Sequence, residues 1–242
     1  MRELKLTGRE RFLVVRTDRV GDVVLSTPVL ESIKTRFPES HLVMMVSSYA
    51  AGVVKANPNL DDVIIDDHEN RHKGIKGFLV LSKEIRGGRF DVGILLRPTF
   101  RLALLLFLAG IRYRVGTGYR FYQMLFNRKV CVHRKTNLRH EADYNLNLLR
   151  PLGIKPEKII PRVYLSPEEE SFAQQVWRES EIAPDRAVAV IHPGSGDSAL
   201  NLPAKRFAQV ADQLVEERDA KVLFTGTKGE ADLIDLIKRC MR

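Results

Sequence analysis

The stretch Arg16-Thr17-Asp18-Arg19-Val20-Gly21-Asp22 joins two segments of different character. Before it, Phe12-Leu13-Val14-Val15 is an apolar run bounded by polar residues, the pattern of a buried strand. After it, the residues from Val23 to Lys34 place apolar side chains at helical spacing. The order is strand, short loop, helix. In parallel α/β folds ligands sit outside the carboxyl end of such a strand. Asp22 closes the loop and has two readings. It caps the helix, since aspartate is favoured there, or it stands at the mouth of a crevice as a general base.

The alternation runs on through the chain. Strand-like runs fall at 12–16, 42–46, 63–66, 91–96, 113–116, 129–132, 187–192 and 221–225. Helix-like runs fall at 23–36, 48–56, 74–86, 100–109, 141–151, 167–180, 204–218 and 230–239. Alternating strands and helices predict an α/β fold, a doubly wound parallel sheet with helices on both faces. A boundary is expected in the loop-like stretch 153–166, before Ser166-Pro167-Glu168-Glu169-Glu170 starts a helix with N-cap, proline and first-turn acids. We divide the chain into domains 1–160 and 161–242. The second is shorter than the ~100–150 residues of an ordinary domain and reads as incomplete.

Composition narrows the function. The 242 residues are 44% hydrophobic and 29% charged, as in a soluble globular protein. The longest apolar run, Leu102 to Ile111, falls short of the ~20 residues that span a bilayer and reads as a buried helix. The N-terminus lacks a secretory apolar region. Cys131 and Cys240 lie far apart without metal-ligand spacing and suit a reducing cytoplasm. His68, His133 and His140 show no metal-like spacing either. The net charge of +9 favours anionic partners, and arginines crowd between Arg97 and Arg139. No aromatic-rich binding motif accompanies them, so nucleic acid is not the expected partner.

Four motifs together carry a resemblance. Arg-Thr-Asp-Arg-Val-Gly-Asp-Val-Val-Leu-Ser-Thr-Pro-Val-Leu at 16–30 resembles the N-terminal signature of the family 9 glycosyltransferases, the bacterial heptosyltransferases of lipopolysaccharide core synthesis. Arg139-His140-Glu141-Ala142-Asp143-Tyr144-Asn145-Leu146-Asn147-Leu148-Leu149 is similar to the family's mid-chain helix. Ile191-His192-Pro193-Gly194-Ser195-Gly196, followed by Pro203-Ala204-Lys205-Arg206-Phe207-Ala208, resembles its donor-binding segment. Leu223-Phe224-Thr225-Gly226-Thr227-Lys228-Gly229-Glu230 resembles its next strand and turn. The resemblance implies a GT-B-like fold: two Rossmann-like domains with parallel sheets, acceptor-binding first and donor-binding second. It also implies that the second is incomplete, since family members continue through an Asp-Thr/Ser-Gly motif and a histidine that contact the donor.

The implied activity is transfer of heptose from ADP-heptose to lipopolysaccharide core, inverting, without metal or cofactor. One displacement needs one carboxylate base, by analogy with inverting glycosidases. Asp22 matches the family's base and is expected to face the cleft between domains. Asp18 reads as a turn residue, and Arg16 as a brace for the loop. Gly194, Ser195 and Gly196 offer backbone amides to phosphate, or form a tight strand-to-helix turn. Glu230 matches the acid that bonds the nucleoside, or is a first-turn helix acid. Leu200 stands where the family carries a phosphate-binding lysine, and Lys205 or Arg206 is the candidate to replace it. Arg97, Arg101 and Arg120 are expected to meet the anionic acceptor, since arginine suits bidentate contact. The basic first domain is expected to lie peripherally on the cytoplasmic face of the inner membrane. Leu200 and the missing segment also fit a family member that binds ligand without transferring it.

Overall fold

The computed structural model describes residues 5–131, 139–155, 157, 159–180, 182–183, 185–195 and 200–242. The chain divides between Ser166 and Pro167 into two units, each with its own sheet. The division lies beyond the expected one at 160. Arg162 still belongs to the first unit, where its backbone N–H donates to Thr27 Oγ1 at 3.1 Å.

In the first unit β1 (Arg11–Val15), β2 (His41–Ser47), β3 (Asp62–Asp66), β4 (Val92–Leu95), β5 (Tyr113–Thr117) and β6 (Arg128–Val130) form one parallel sheet. Its order is β3-β2-β1-β4-β5-β6, that of a doubly wound nucleotide-binding domain. The helices are α1 (Val20–Val24), α2 (Thr27–Arg36), α3 (Gly74–Gly87), α4 (Phe100–Leu108) and α5 (Glu141–Asn147). Strand side chains alternate between faces. Phe12 and Val14 of β1 therefore join Val29, Leu30, Ile33 and Leu146 in one apolar cluster. Leu13 and Val15 join Leu81, Ile85, Leu102 and Leu106 in the other. So α2 and α5 cover one face, and α3 and α4 the other. The apolar run beginning at Leu102 is a buried helix, as expected, and no helix among the described residues is long and apolar enough to cross a membrane.

The helix expected over 23–36 is two helices. Pro28 has no N–H and its ring would strike the carbonyl four residues back, so one helix must stop before it and another start. Ser26 Oγ donates to the Asp22 carbonyl at 2.8 Å and Thr27 Oγ1 to the Val24 carbonyl at 2.9 Å, satisfying groups left by the break. The first helix begins at Val20, with Arg19 at the cap position. Asp22 is therefore inside the first turn and does not cap it.

In the second unit α6 (Pro167–Glu179) opens on its proline with three glutamates in the first turn. Then come β7 (Val188–Ile191), α7 (Ala204–Arg218), β8 (Lys221–Phe224) and α8 (Ala231–Cys240). β7 and β8 pair in parallel, Ile191 opposite Phe224. Ala208 and Ala211 of α7 and Ile237 of α8 are buried, whereas α6 buries no residue.

Candidate functional site

β1 lies between β2 and β4 in the sheet, the point where strand order reverses. Loops leaving β1 and β4 there diverge and open a crevice, the usual ligand site of such sheets. Here it is a hollow of about 490 Å³ lined by Asp18, Arg19 and Asp22 after β1, Ser47 at the end of β2 and Tyr49 after it, Asp67, His68 and Glu69 after β3, and Arg97 after β4.

The loop after β1 is built around Arg16, whose side chain is 4% exposed. Its Nε donates to Asp18 Oδ1 at 2.6 Å, and Nη1 donates to Glu141 Oε1 at 2.9 Å. Nη2 lies 2.8 Å from Asp22 Oδ1. Burial works against the Arg16 charge, but the carboxylates of Asp18, Glu141 and Asp22 outweigh it and raise its hold on its proton. Asn145 is fully buried beside them. Its amide donates to the Leu25 carbonyl at 3.3 Å and Ser26 Oγ at 3.2 Å, and its Oδ1 accepts from Arg16 Nη1 at 3.4 Å. Glu141 and Asn145 are four apart on α5 and so share one face. Arg16 is the brace expected. Asp18 also binds Arg16, beyond its expected turn role. Asp22 keeps one oxygen on Arg16 while its side chain, 33% exposed, lines the hollow. A carboxylate so held can accept a proton from a hydroxyl entering the hollow.

The three candidate arginines take different places. Arg97 is exposed at the rim, its Nε 3.7 Å from Asp18 Oδ2. Arg101 is committed elsewhere. Its two Nη atoms bind the carboxylate of Asp66 at 2.5 and 3.0 Å, and its guanidinium lies over the Phe78 ring. Asp66 is buried at the end of β3, so Arg101 neutralises an inner charge while part of its side chain stays exposed. Arg120 is exposed at the start of a 3-10 turn, Phe121–Leu125, after β5.

Sequence patterning missed the loop after β3. His72 is buried there between Asp66 Oδ1 at 3.4 Å and Glu84 Oε2 at 3.5 Å, and its Nδ1 accepts the Asp67 N–H at 3.1 Å. Gly77 of α3 makes this possible: a Cβ on it would stand 2.3 Å from the His72 carbonyl carbon. The loop that presents Asp67, His68 and Glu69 to the hollow is thus pinned at its base. Only the glycine within an otherwise good helix signalled this close approach.

In the second unit the structure brings two predicted donor residues together. A Cβ on Gly194 would lie 1.5 Å from Glu230 Oε1, so the loop after β7 passes directly against the carboxylate that follows β8. Glu230 Oε2 accepts the Thr227 backbone N–H at 2.7 Å and its hydroxyl at 2.9 Å. Those two bonds, with His192 nearby, hold its carboxyl below the usual range. The first of these bonds, with the Glu230 backbone N–H donating in turn to the Thr227 side chain, forms a capping box, so Glu230 is also the first-turn acid of the alternative reading. His192 Nδ1 is 3.2 Å from Thr225 Oγ1, tying the ends of β7 and β8. Ser195 is half-buried beside Gly194, while Gly196 lies outside the described residues. Lys205 lines a separate hollow of about 680 Å³ with Leu202, Arg206, Gln209 and Arg242, and Leu200 is fully exposed.

Comparison with known proteins agrees with this fold. A model of glycosyltransferase family 9 (heptosyltransferase) matches residues 78–242. A Haemophilus influenzae protein named only as a glycosyltransferase is 29% identical over 229 residues, covering 92% of this chain and 65% of that protein. Lipopolysaccharide heptosyltransferase 2 of Escherichia coli is 24% identical, covering 90% of this chain and 64% of the relative. The chain thus spans about 65% of the length of these curated relatives. The crystal structure of a family 9 glycosyl transferase from Veillonella parvula superposes with a TM-score of 0.90 at 26% identity, covering 99% of this chain and 69% of that one. The ADP-heptose lipopolysaccharide heptosyltransferase II of E. coli shares the fold, with a TM-score of 0.75 at 20% identity, covering 96% and 69%.

Proposed function

Because the chain belongs to glycosyltransferase family 9, we propose that it serves the transfer of heptose from ADP-heptose to lipopolysaccharide core, by a single inverting displacement with Asp22 as base. The observation that carries this reading is the Arg16 cluster, which holds Asp22 in the hollow where the strand order reverses. An acceptor hydroxyl entering that hollow gives its proton to Asp22 as its oxygen bonds to the anomeric carbon. The bond from that carbon to the donor phosphate breaks on the opposite face, and its electron pair leaves with ADP.

The second unit is the donor side of the proposal. The loop through Gly194 and Ser195 is the proposed diphosphate contact, through its backbone amides, with the Glu230 carboxylate packed against Gly194. Glu230 retains acceptor capacity for the hydroxyls of a ribose. Gly196 and Lys205 stay in the proposal as further phosphate contacts. On the acceptor side Arg97, Arg101 and Arg120 are the proposed contacts for anionic groups, Arg101 with part of its guanidinium held by Asp66. A reducing cytoplasm is the expected compartment.

Replacing Asp22 by Asn tests the base. The variant keeps the shape and loses the proton acceptor, so transfer should fall ~10²–10⁴-fold while calorimetric ADP binding stays unchanged. Equal transfer by both proteins would remove Asp22 from the mechanism. One observation favours a second reading, ligand binding without transfer: the exposed Leu200 offers no charge where the resemblance expects lysine. ADP binding with no heptose transfer by the parent chain supports that reading.

A further inference from the structure

Phe121 and Met124 stand in solvent, each 78% exposed, on the same edge of the sheet as the hollow. Their turn follows the carboxyl end of β5. Tyr122 and Phe126 point inward and are buried, and Gly116 makes the room: a Cβ there would lie 2.5 Å from the Phe126 ring. Side chains at i and i+3 of a 3-10 turn eclipse. With Tyr122 committed to the core, Phe121 and Met124 share the outward face. Phe100, the half-exposed first residue of α4, stacks on Phe121 with ring centroids 5.8 Å apart. Single exposed apolar residues are normal, but a contiguous group marks an interaction site.

Charge indicates the partner. Residues 1–166 hold 29 Lys and Arg against 16 Asp and Glu, a net of +13, whereas residues 167–242 hold 10 against 14, a net of −4. Arg120 is exposed directly before Phe121, and Arg97 lies three residues before Phe100.

The geometry points to a membrane-docking surface: Phe100, Phe121 and Met124 seat among the headgroups of an anionic bilayer, with Arg120 at the lipid phosphates. Aromatic side chains settle at that depth, and basic groups add electrostatic attraction to it. Three side chains cover far less than the ~800 Å² per partner of a stable protein interface. Shallow insertion aided by charge needs no more than they supply. The surface adjoins the hollow through Arg97 and Phe100, so docking here presents the site to an acceptor carried in the membrane. In that respect the inference rests on the proposed function and deepens its acceptor half.

The test is co-sedimentation of the chain with phosphatidylcholine vesicles, with and without phosphatidylglycerol, alongside calorimetric ADP binding. Binding to the phosphatidylglycerol vesicles, weakened by salt, is expected. The double variant Phe121→Ser/Met124→Ser should lower it about tenfold with melting temperature and ADP binding unchanged. Arg120→Glu should lower it without touching the apolar group. The inference is overturned if the parent chain does not sediment with anionic vesicles, or if the double variant sediments as well as the parent. It is also overturned if the double substitution dissociates an oligomer and leaves vesicle binding intact. Vesicle binding without ADP binding would uphold this surface while removing the donor reading. ADP binding without vesicle binding would do the reverse.

Discussion

A single guanidinium decides the shape of the loop after β1. Arg16 is 3% exposed and meets the carboxylates of Asp18, Asp22 and Glu141. Removing one partner of a buried ion network leaves the others uncompensated, at a cost of about 3–5 kcal/mol. Arg16→Met is therefore expected to lower the urea midpoint of the first unit by that equivalent, and an unchanged midpoint would deny Arg16 its central role. Gly194 acts through space rather than charge. An alanine there would have to displace the Glu230 carboxylate, since its Cβ would stand 1.5 Å from Oε1. ADP binding by Gly194→Ala should weaken about tenfold, roughly one lost hydrogen bond to a charged group. Calorimetry that finds parent affinity would show that this carboxylate does not serve the nucleotide. Asp22 and Arg16 sit in one loop, so their neighbourhood was readable from the chain. The partners Glu141 and Asn145 were not, because helical spacing shows that two residues share a face but not what that face meets. Arg97 and Arg101 illustrate the same limit. They lie four residues apart at a strand end, and only the fold reveals that Asp66 occupies one of them.

At the scale of elements, short salt links fasten the strands in register. Asp61 Oδ2 accepts the Leu42 N–H at 2.6 Å and the Lys34 ammonium at 2.7 Å, joining the segment before β3 to β2 and α2. Partial burial works against the Asp61 charge, but Lys34 and the Leu42 N–H outweigh it and hold its carboxyl below the usual range. A lowered folded value means stability that is present above the unfolded value, ~3.9, and lost as pH falls through the folded one. Asp61→Asn should cost about 1 kcal/mol at neutral pH, kept small by solvent screening. Melting curves should show the difference from the parent shrinking at and below pH 3. A difference independent of pH would mean that the carboxylate charge is not involved. The strands among the described residues fall where the sequence predicts them, most as apolar runs between polar or turn residues, although β6 holds Val130 as its one apolar side chain. The break at Pro28 was overlooked because apolar spacing continues across it, although the backbone chemistry of proline forbids an unbroken helix there. The sequence predicts a helix over 48–56, and the structure holds a 3-10 helix over Ser48–Val53.

The molecule as a whole is uneven in how deeply it buries its elements. β1 is enclosed by apolar clusters on both faces, while α6 buries no residue. Hydrogen exchange should therefore be slowest in β1, β2 and β4 and fast in α6, since protection follows buried contacts. Equal protection of α6 and β1 would contradict this. The division into two units was visible in the loop-like residues around 153–166. The order of the six strands in the first sheet was not, because periodicity identifies a strand without saying which neighbour it takes. That order also carries a consequence for synthesis. A ribosome delivers Arg16 and Asp22 early, but Glu141 and Asn145 come 125 and 129 residues after Arg16. Contacts so distant in sequence form late. Until α5 emerges, Arg16 lacks two of the groups that hold it, and the loop around Asp22 is unfinished. The chemistry at the front of the chain is thereby withheld until its middle has been made.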